Sequence, residues 1–200
     1  LTHLGSGTSP SGLSWNQAFA EAMELWEDTS VFSFFTLASA ADPCAGYIPN
    51  APEDGFLHGV DFRANICGDD FGSSTLAVTL AYQQSGQTLD ADILFNGHVI
   101  WDVYHGAWTT PADFRRVAVH ELGHVIGLDH EDSVPAIMAT YVLPGSTVEA
   151  PLADDIAGVA AMVAGLSLVI HFSARRRPSQ SSSSPRRTGL TMKSSGGRPT

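Results

Sequence analysis

The chain lacks the features that would carry it across a membrane or onto a nucleic acid. No apolar run reaches the roughly 18–20 residues that span a bilayer. The longest, Ile156 to Phe172, is broken by Gly158, Gly165, Ser167 and His171, and reads as a buried helix with a short strand-like end. Basic residues are few: ten Lys and Arg stand against 21 Asp and Glu, and only Arg63, Arg115 and Arg116 precede residue 173. All 21 acidic residues precede it as well, so the first 172 residues carry a net −18 and the remainder +7. An acidic body of that size repels polyanions, which argues against nucleic acid as a partner and favours cations. Cysteine is scarce too. Cys44 and Cys67 fit no zinc knuckle and leave two readings, buried thiols or a disulfide across a loop-rich segment. The disulfide would contribute about 3 kcal/mol and would suit a secreted domain. There is no internal repeat, and the first residue is Leu1 rather than methionine, so the expectation is a mature or shortened product with any signal peptide out of view.

What is present suffices for one domain, since 200 residues of which 44% are hydrophobic can close a single core. Trp15, Phe19, Ala22, Met23 and Trp26 form a helical stripe behind Ser14, a candidate N-cap with Gln17 three residues on. The stretches Val31 to Leu37, Gly59 to Ile66, Ser74 to Gln84 and Asp90 to Gly97 have the β-branched and aromatic content of strands. The first two are separated by the loop "YIPNAPEDG" and the last two by the turn "QSGQ". Asp113 is placed to cap a second helix ending near Gly127, and Asp154 to Ala164 reads as a third. After Phe172 the composition shifts to basic, Ser- and Pro-rich "SARRRPSQSSSSPRRTGLTMKSSGGRPT", expected to be disordered. The domain is therefore placed at residues 1–172 and a tail at 173–200.

Chemistry concentrates in "HELGHVIGLDH", His120 to His130. His120 and His124 are four apart, so on a helix their imidazoles share one face and can share one ion. Glu121, one position on, can reach a water activated by that ion. Zinc with an open coordination position lowers the pKa of water to about 7, and a carboxylate can take its proton as the water attacks a carbonyl. Gly127 can adopt the left-handed conformation that ends a helix, and the turn returns His130 as a third neutral ligand.

Met138 follows His130 by eight residues, beyond Pro135. The long histidine motif with a following methionine turn resembles the metzincin zinc endopeptidases, and within them the matrixins. The similarity extends from about Trp15 to Gly165 through "TLAVTLAY", "DADILFN" and "DDIAGVAAM". It implies an α+β, zincin-like fold: a twisted, mostly parallel sheet, an antiparallel edge strand at "TLAVTLAY", and three helices. It also implies a secreted, monomeric zinc metalloendopeptidase that binds protein or peptide substrate in extended form along that edge. Zinc (Zn2+) would sit on His120, His124 and His130, with Glu121 as the catalytic carboxylate and Met138 as the structural floor. A rival on the same fold is a catalytically silent, zinc-dependent peptide-binding or adhesion module. Glu121, dispensable for zinc binding alone, speaks against it. A third reading is an incomplete domain with "LTHL" as the remnant of a strand ahead of the first helix.

Several letters depart from the pattern. Glu131 follows the third histidine where vertebrate matrixins usually carry Ser, and Thr140 stands where a proline is usual two residues after the methionine. Tyr141 lies one position too far for an extra ligand and is expected as a packed aromatic. The edge strand lacks the histidines of a structural zinc. His98, Asp102 and His105 are weighed as a second metal site, with solvated or cleft-lining roles as the alternative. Asp69, Asp70, Asp90 and Asp92 are oxygen donors that suit calcium (Ca2+), although no D-x-D-x-D-G loop surrounds them. Asp154 and Asp155 are expected to cap the third helix and tie it to the histidine segment. Residue preference at the scissile bond would be shaped by "YVLPGSTVEAP", whose conformation no pattern in the string reveals.

Overall fold

A computed structural model describes residues 4–29, 33–34, 42–45, 58–85, 87–173 and 184–192. Three helices, α1 (Trp15–Glu27), α2 (Phe114–Ile126) and α3 (Ala153–Ser173), accompany eight strands: β1 (Val60–Arg63), β2 (Ala77–Gln84), β3 (Gln87–Asn96), β4 (Trp101–Asp102), β5 (Ala112–Asp113), β6 (Tyr141–Val142), β7 (Ser184–Thr188) and β8 (Thr191–Met192). No helix among the described residues is long and apolar enough to cross a membrane.

Local chemistry sets α1 as its sequence suggests. Ser14 Oγ accepts the Gln17 N–H at 3.2 Å while the Gln17 side chain takes the Ser14 N–H, a reciprocal capping box. The buried face, Ala18, Phe19, Ala22, Met23 and Trp26, packs on α2, where the Trp26 indole donates to the Val119 carbonyl at 2.8 Å. The main sheet runs β1-β3-β2-β7, with β1 parallel to β3 and β2 antiparallel to both its neighbours. β2 and β3 form a hairpin whose last pair, Gln84 with Gln87, closes where the turn residues place it. One face of the sheet meets the helices through an aromatic cluster in which Phe95 and Phe114 rings lie 4.5 Å apart. The other face buries Ile66, Val78, Leu80 and Leu94 beneath the segment carrying Cys44 and Cys67.

Those cysteines are joined in a disulfide with Cα atoms 5.3 Å apart. It covers the small second core and closes a loop across 23 positions. Reduction is therefore expected to lower stability by about 3 kcal/mol, to be read as a shift of the urea midpoint with and without reductant. An unchanged midpoint would mean that the second core holds without the bond.

Most of Val31 to Leu37 and the loop "YIPNAPEDG" lie outside the described residues. Among the described strands only the β1–β3 pair of the main sheet is parallel. The tail departs from expectation: α3 continues to Ser173, and residues 184–192 are not disordered but form β7 and β8 on the domain. β7 pairs antiparallel with β2, β8 pairs parallel with β6, and Leu190 is buried between them. Composition hid this because a strand needs only an unpaired sheet edge and one or two apolar anchors, here Leu190 and Met192. "TLAVTLAY" is consequently a strand whose outer side is covered by the chain itself.

Candidate metal centre

Helix α2 runs through the core, and every residue from Phe114 to His124 is buried. Asp113 precedes it without a side-chain capping bond, contrary to expectation. Instead its fully buried carboxylate lies 3.5 Å from Arg116 Nε, and burial pushes its pKa up against the pull of Arg116 and Arg115. The helix ends at Gly127, whose φ of 113° is open to glycine at little cost, and its N–H reaches the Gly123 and His124 carbonyls. The reversal brings His130 back, with its ring centroid 4.8 Å from that of His124 and 5.3 Å from that of His120.

The three histidines thus converge, and their candidate ligand atoms all lie within 4.8 Å of one another. Backbone carbonyls set two of the rings. His120 Nδ1 faces the Ile137 carbonyl at 2.7 Å and His124 Nδ1 the Leu128 carbonyl at 2.8 Å, so these nitrogens carry the protons and each Nε2 is left with its lone pair. Two observations show that the cluster suits a cation. His120 Nε2 is buried without a hydrogen-bond partner, and the Nε2 atoms of His124 and His130 face each other at 3.2 Å. That separation is close to the edge, about 3.3 Å, of a tetrahedron with zinc–nitrogen bonds of about 2.0–2.1 Å. Burial, reinforced by His124, holds His120 well below the ordinary imidazole range, so it is neutral as a ligand must be.

Glu121 is fully buried beside them. Its Oε2 accepts the Thr79 hydroxyl at 2.7 Å and its Oε1 the Leu190 N–H at 3.0 Å. Burial pushes its carboxyl up to about 8, against the pull of those two bonds. Thr79 was not singled out by sequence reasoning. The signal was present: Ala77, Thr79 and Ala81 alternate with Val78 and Leu80, so a polar residue stands on the helix-facing side of β2.

Met138 is 1% exposed, with its side chain against Gly123 of α2. A Cβ at Gly123 would overlap Met138 Sδ and meet the Trp26 ring at 3.0 Å, so glycine lets α2 approach Met138 and α1 without displacing either side chain. Asp155 fixes the turn. It accepts N–H groups from Ile137 at 3.0 Å, Met138 at 3.2 Å and Leu152 at 2.7 Å, which ties α3 to the histidine segment as expected of the "DD" pair. Thr140, in place of the usual proline, is held by Asp132 through its N–H and hydroxyl, both at 2.8 Å. Glu131 turns into its own loop and takes the Ser133 N–H. Tyr141 is 46% exposed. It lines a pocket beside His120 with Arg116, Ile137, Val142 and Val148. Arg116 holds the pocket wall, donating to the Ser146 carbonyl at 2.8 Å and the Gly106 carbonyl at 2.6 Å.

The other weighed sites do not assemble. His98 faces the Ala64 carbonyl, Asp102 accepts the Ser11 N–H, and His105 pairs with Glu149, three separate engagements. Asp69 pairs with Arg187, Asp90 with His58, and Asp92 accepts the Gly59 N–H. Among the described residues only His120, His124 and His130 form a group able to hold a metal ion.

Three imidazoles converge on one point, with a buried carboxyl next to one of them on the same helix, a donor set able to hold a single metal ion. The matrixin family model matches residues 8–164, so the chain belongs to the matrixin family, whose members are zinc enzymes. It is 26% identical over 147 residues to human (Homo sapiens) stromelysin-3 and 28% identical over 151 residues to macrophage metalloelastase of Oryctolagus cuniculus. These alignments take in 72% and 74% of this chain but only 26% and 28% of the relatives, so the chain spans little more than a quarter of their length. Metalloendoproteinase 5-MMP of Arabidopsis thaliana is 34% identical over 94 residues, which is 44% of this chain and 26% of that protein.

Proposed function

We propose that the chain is a zinc endopeptidase that hydrolyses internal peptide bonds of proteins, with His120, His124 and His130 as zinc ligands and Glu121 as the catalytic carboxylate. The observation that carries this reading is the placement of Glu121. A site for zinc alone has no use for a buried carboxyl, yet this one is held by Thr79 beside the histidines with an oxygen on a peptide N–H. Zinc bound there supplies Lewis acidity, lowering the pKa of a water to about 7 and polarising the substrate carbonyl. Glu121 takes the proton of the attacking water and delivers it to the leaving nitrogen. Thr79 keeps Oε2 occupied and so presents Oε1 to the groove. Asp155 acts on the His120 ring through Ile137, not on substrate. Substrate would lie extended on β2, in the place that residues 184–188 take in this structure, and the disulfide supports a secreted protein.

Metal analysis of the purified chain with a peptide-library digest tests the reading. One zinc per chain is expected, with internal cleavages that stop on chelation and return with zinc. Peptide binding without cleavage at full zinc loading would instead favour the silent adhesion module.

Thr79→Val should leave zinc content unchanged and lower kcat by about three- to tenfold, the worth of one hydrogen bond of about 0.5–1.5 kcal/mol. An unaltered kcat would mean that Glu121 orients itself without β2.

A further inference from the structure

Residues 184–192 lie in the groove as a bound peptide lies between two walls. On one side the ladder from Thr79 with Thr188 to Gln83 with Ser184 pairs β7 with β2, and the Leu190 carbonyl accepts the Leu76 N–H at 3.0 Å. The Met192 N–H donates to Ser74 at 2.7 Å on the same side. On the other side the Thr191 N–H donates to the Thr140 carbonyl at 3.1 Å, where β8 runs beside β6. Arg187 adds an ion pair to Asp69.

The register of this strand singles out one peptide bond. Leu190 is 3% exposed and lines the pocket beside His120, and its N–H is on Glu121 Oε1 at 3.0 Å. The Gly189 carbonyl carbon is one bond of 1.33 Å from that nitrogen, hence within about 4.3 Å of the carboxylate. The next two amides along the strand, Thr191 and Met192, are spent on Thr140 and Ser74. Gly189 is also the one residue type that fits: a Cβ would overlap the Ala77 carbonyl oxygen and approach Val78 Cα to 2.8 Å, both backbone atoms of β2 that cannot move aside.

We infer that Ser184–Met192 is an intramolecular substrate of this protein and that its own site hydrolyses the Gly189–Leu190 bond. The inference rests on the endopeptidase reading above. Water oxygen adds to the Gly189 carbonyl carbon, the carbon–nitrogen bond breaks, and the Leu190 nitrogen leaves as an amine with the proton that Glu121 took from the water. The products are a chain ending in the Gly189 carboxylate and a C-terminal piece that begins at Leu190. Because the substrate is tethered, its cleavage is first order and independent of protein concentration.

The test uses the full chain with stoichiometric zinc, followed by intact mass spectrometry beside a fluorogenic external peptide. Release of the piece that begins at Leu190 is expected, with one rate constant across a tenfold dilution. Gly189→Ala should slow that release by at least about tenfold while the external peptide is still hydrolysed. In zinc-loaded Glu121→Gln, amides 190–192 should exchange hydrogen at least about tenfold more slowly than in the same protein carrying Leu190→Asp. External cleavage with the 189–190 bond left intact, or a rate proportional to concentration, would overturn the inference and leave the endopeptidase reading standing. Slow exchange with neither substrate cut would sink both, showing a docked tail on a site without peptidase chemistry.

Discussion

Glu121→Gln is expected to lower kcat for peptide hydrolysis by about 10²–10⁴-fold, the usual worth of a positioned general base, with zinc still bound at one per chain. The amide is nearly the same size: its oxygen can keep the Leu190 N–H while its NH2 donates to the Thr79 hydroxyl, which accepts as well as donates, so the fold has no reason to yield. What it loses is the capacity to accept a proton from water and pass it to nitrogen. The histidines are untouched, since His120 and His124 are oriented by the Ile137 and Leu128 carbonyls and not by Glu121. Steady-state kinetics with metal analysis on the same samples separate the two effects. A variant that keeps zinc and wild-type kcat would remove Glu121 from the chemistry, whereas loss of zinc would make it part of the metal site.

The second large effect is expected far from any substrate. Asp155 is 2% exposed and accepts three backbone N–H groups, two of them from the turn that carries Met138. Asp155→Ala would leave three donors unsatisfied in the interior, at a cost of at least about 3 kcal/mol. For a chain of this size that is a fall in Tm of roughly 6–12 °C. Ile137 also supplies the carbonyl that orients His120, so zinc affinity should fall by about 10–100-fold, as for other outer partners of metal ligands. Thermal unfolding in chelator measures the first effect and competition with a zinc indicator the second. Asp155→Asn is informative beside it. Oδ2 receives Ile137 and Leu152 while Oδ1 receives Met138, so an amide group must oppose at least one donor. A Tm within about 2 °C of wild type for the alanine variant would show that water replaces the carboxylate and that the turn is held by packing alone.

Much of the site was legible because it is local. His120, Glu121 and His124 fall within one turn and a half of helix, and helical geometry alone places two rings on one face. Gly127 announces the reversal and His130 follows it by three residues, so the third ring needed no long-range information. The capping box of Ser14 and Gln17 and the β2–β3 hairpin are local in the same sense. Thr79, Gly123 and Asp155 were less legible, since each acts on residues from another element: Thr79 on Glu121 across 42 positions, Asp155 on Ile137 across 18. Asp155 was foreseen as a tie because two acids at a helix start invite one, but its partners were not. The tail is illegible for the opposite reason. Its composition is that of a soluble coil, and what orders residues 184–192 is a surface supplied by β2 and β6.

From sequence alone, then, came the helix that carries the histidines, the turn that completes them and the carboxyl beside them, because spacing along the chain converts directly into position over a few residues. Tertiary structure decided what the carboxyl touches, which wall the pocket has and what lies in the groove. Arg116, the Ser146 segment, Thr79 and Leu190 meet around Glu121 and His120 only when the sheet, α2 and the tail are packed together. The contacts that join them span from 30 to 69 positions of chain, and no periodicity reaches that far.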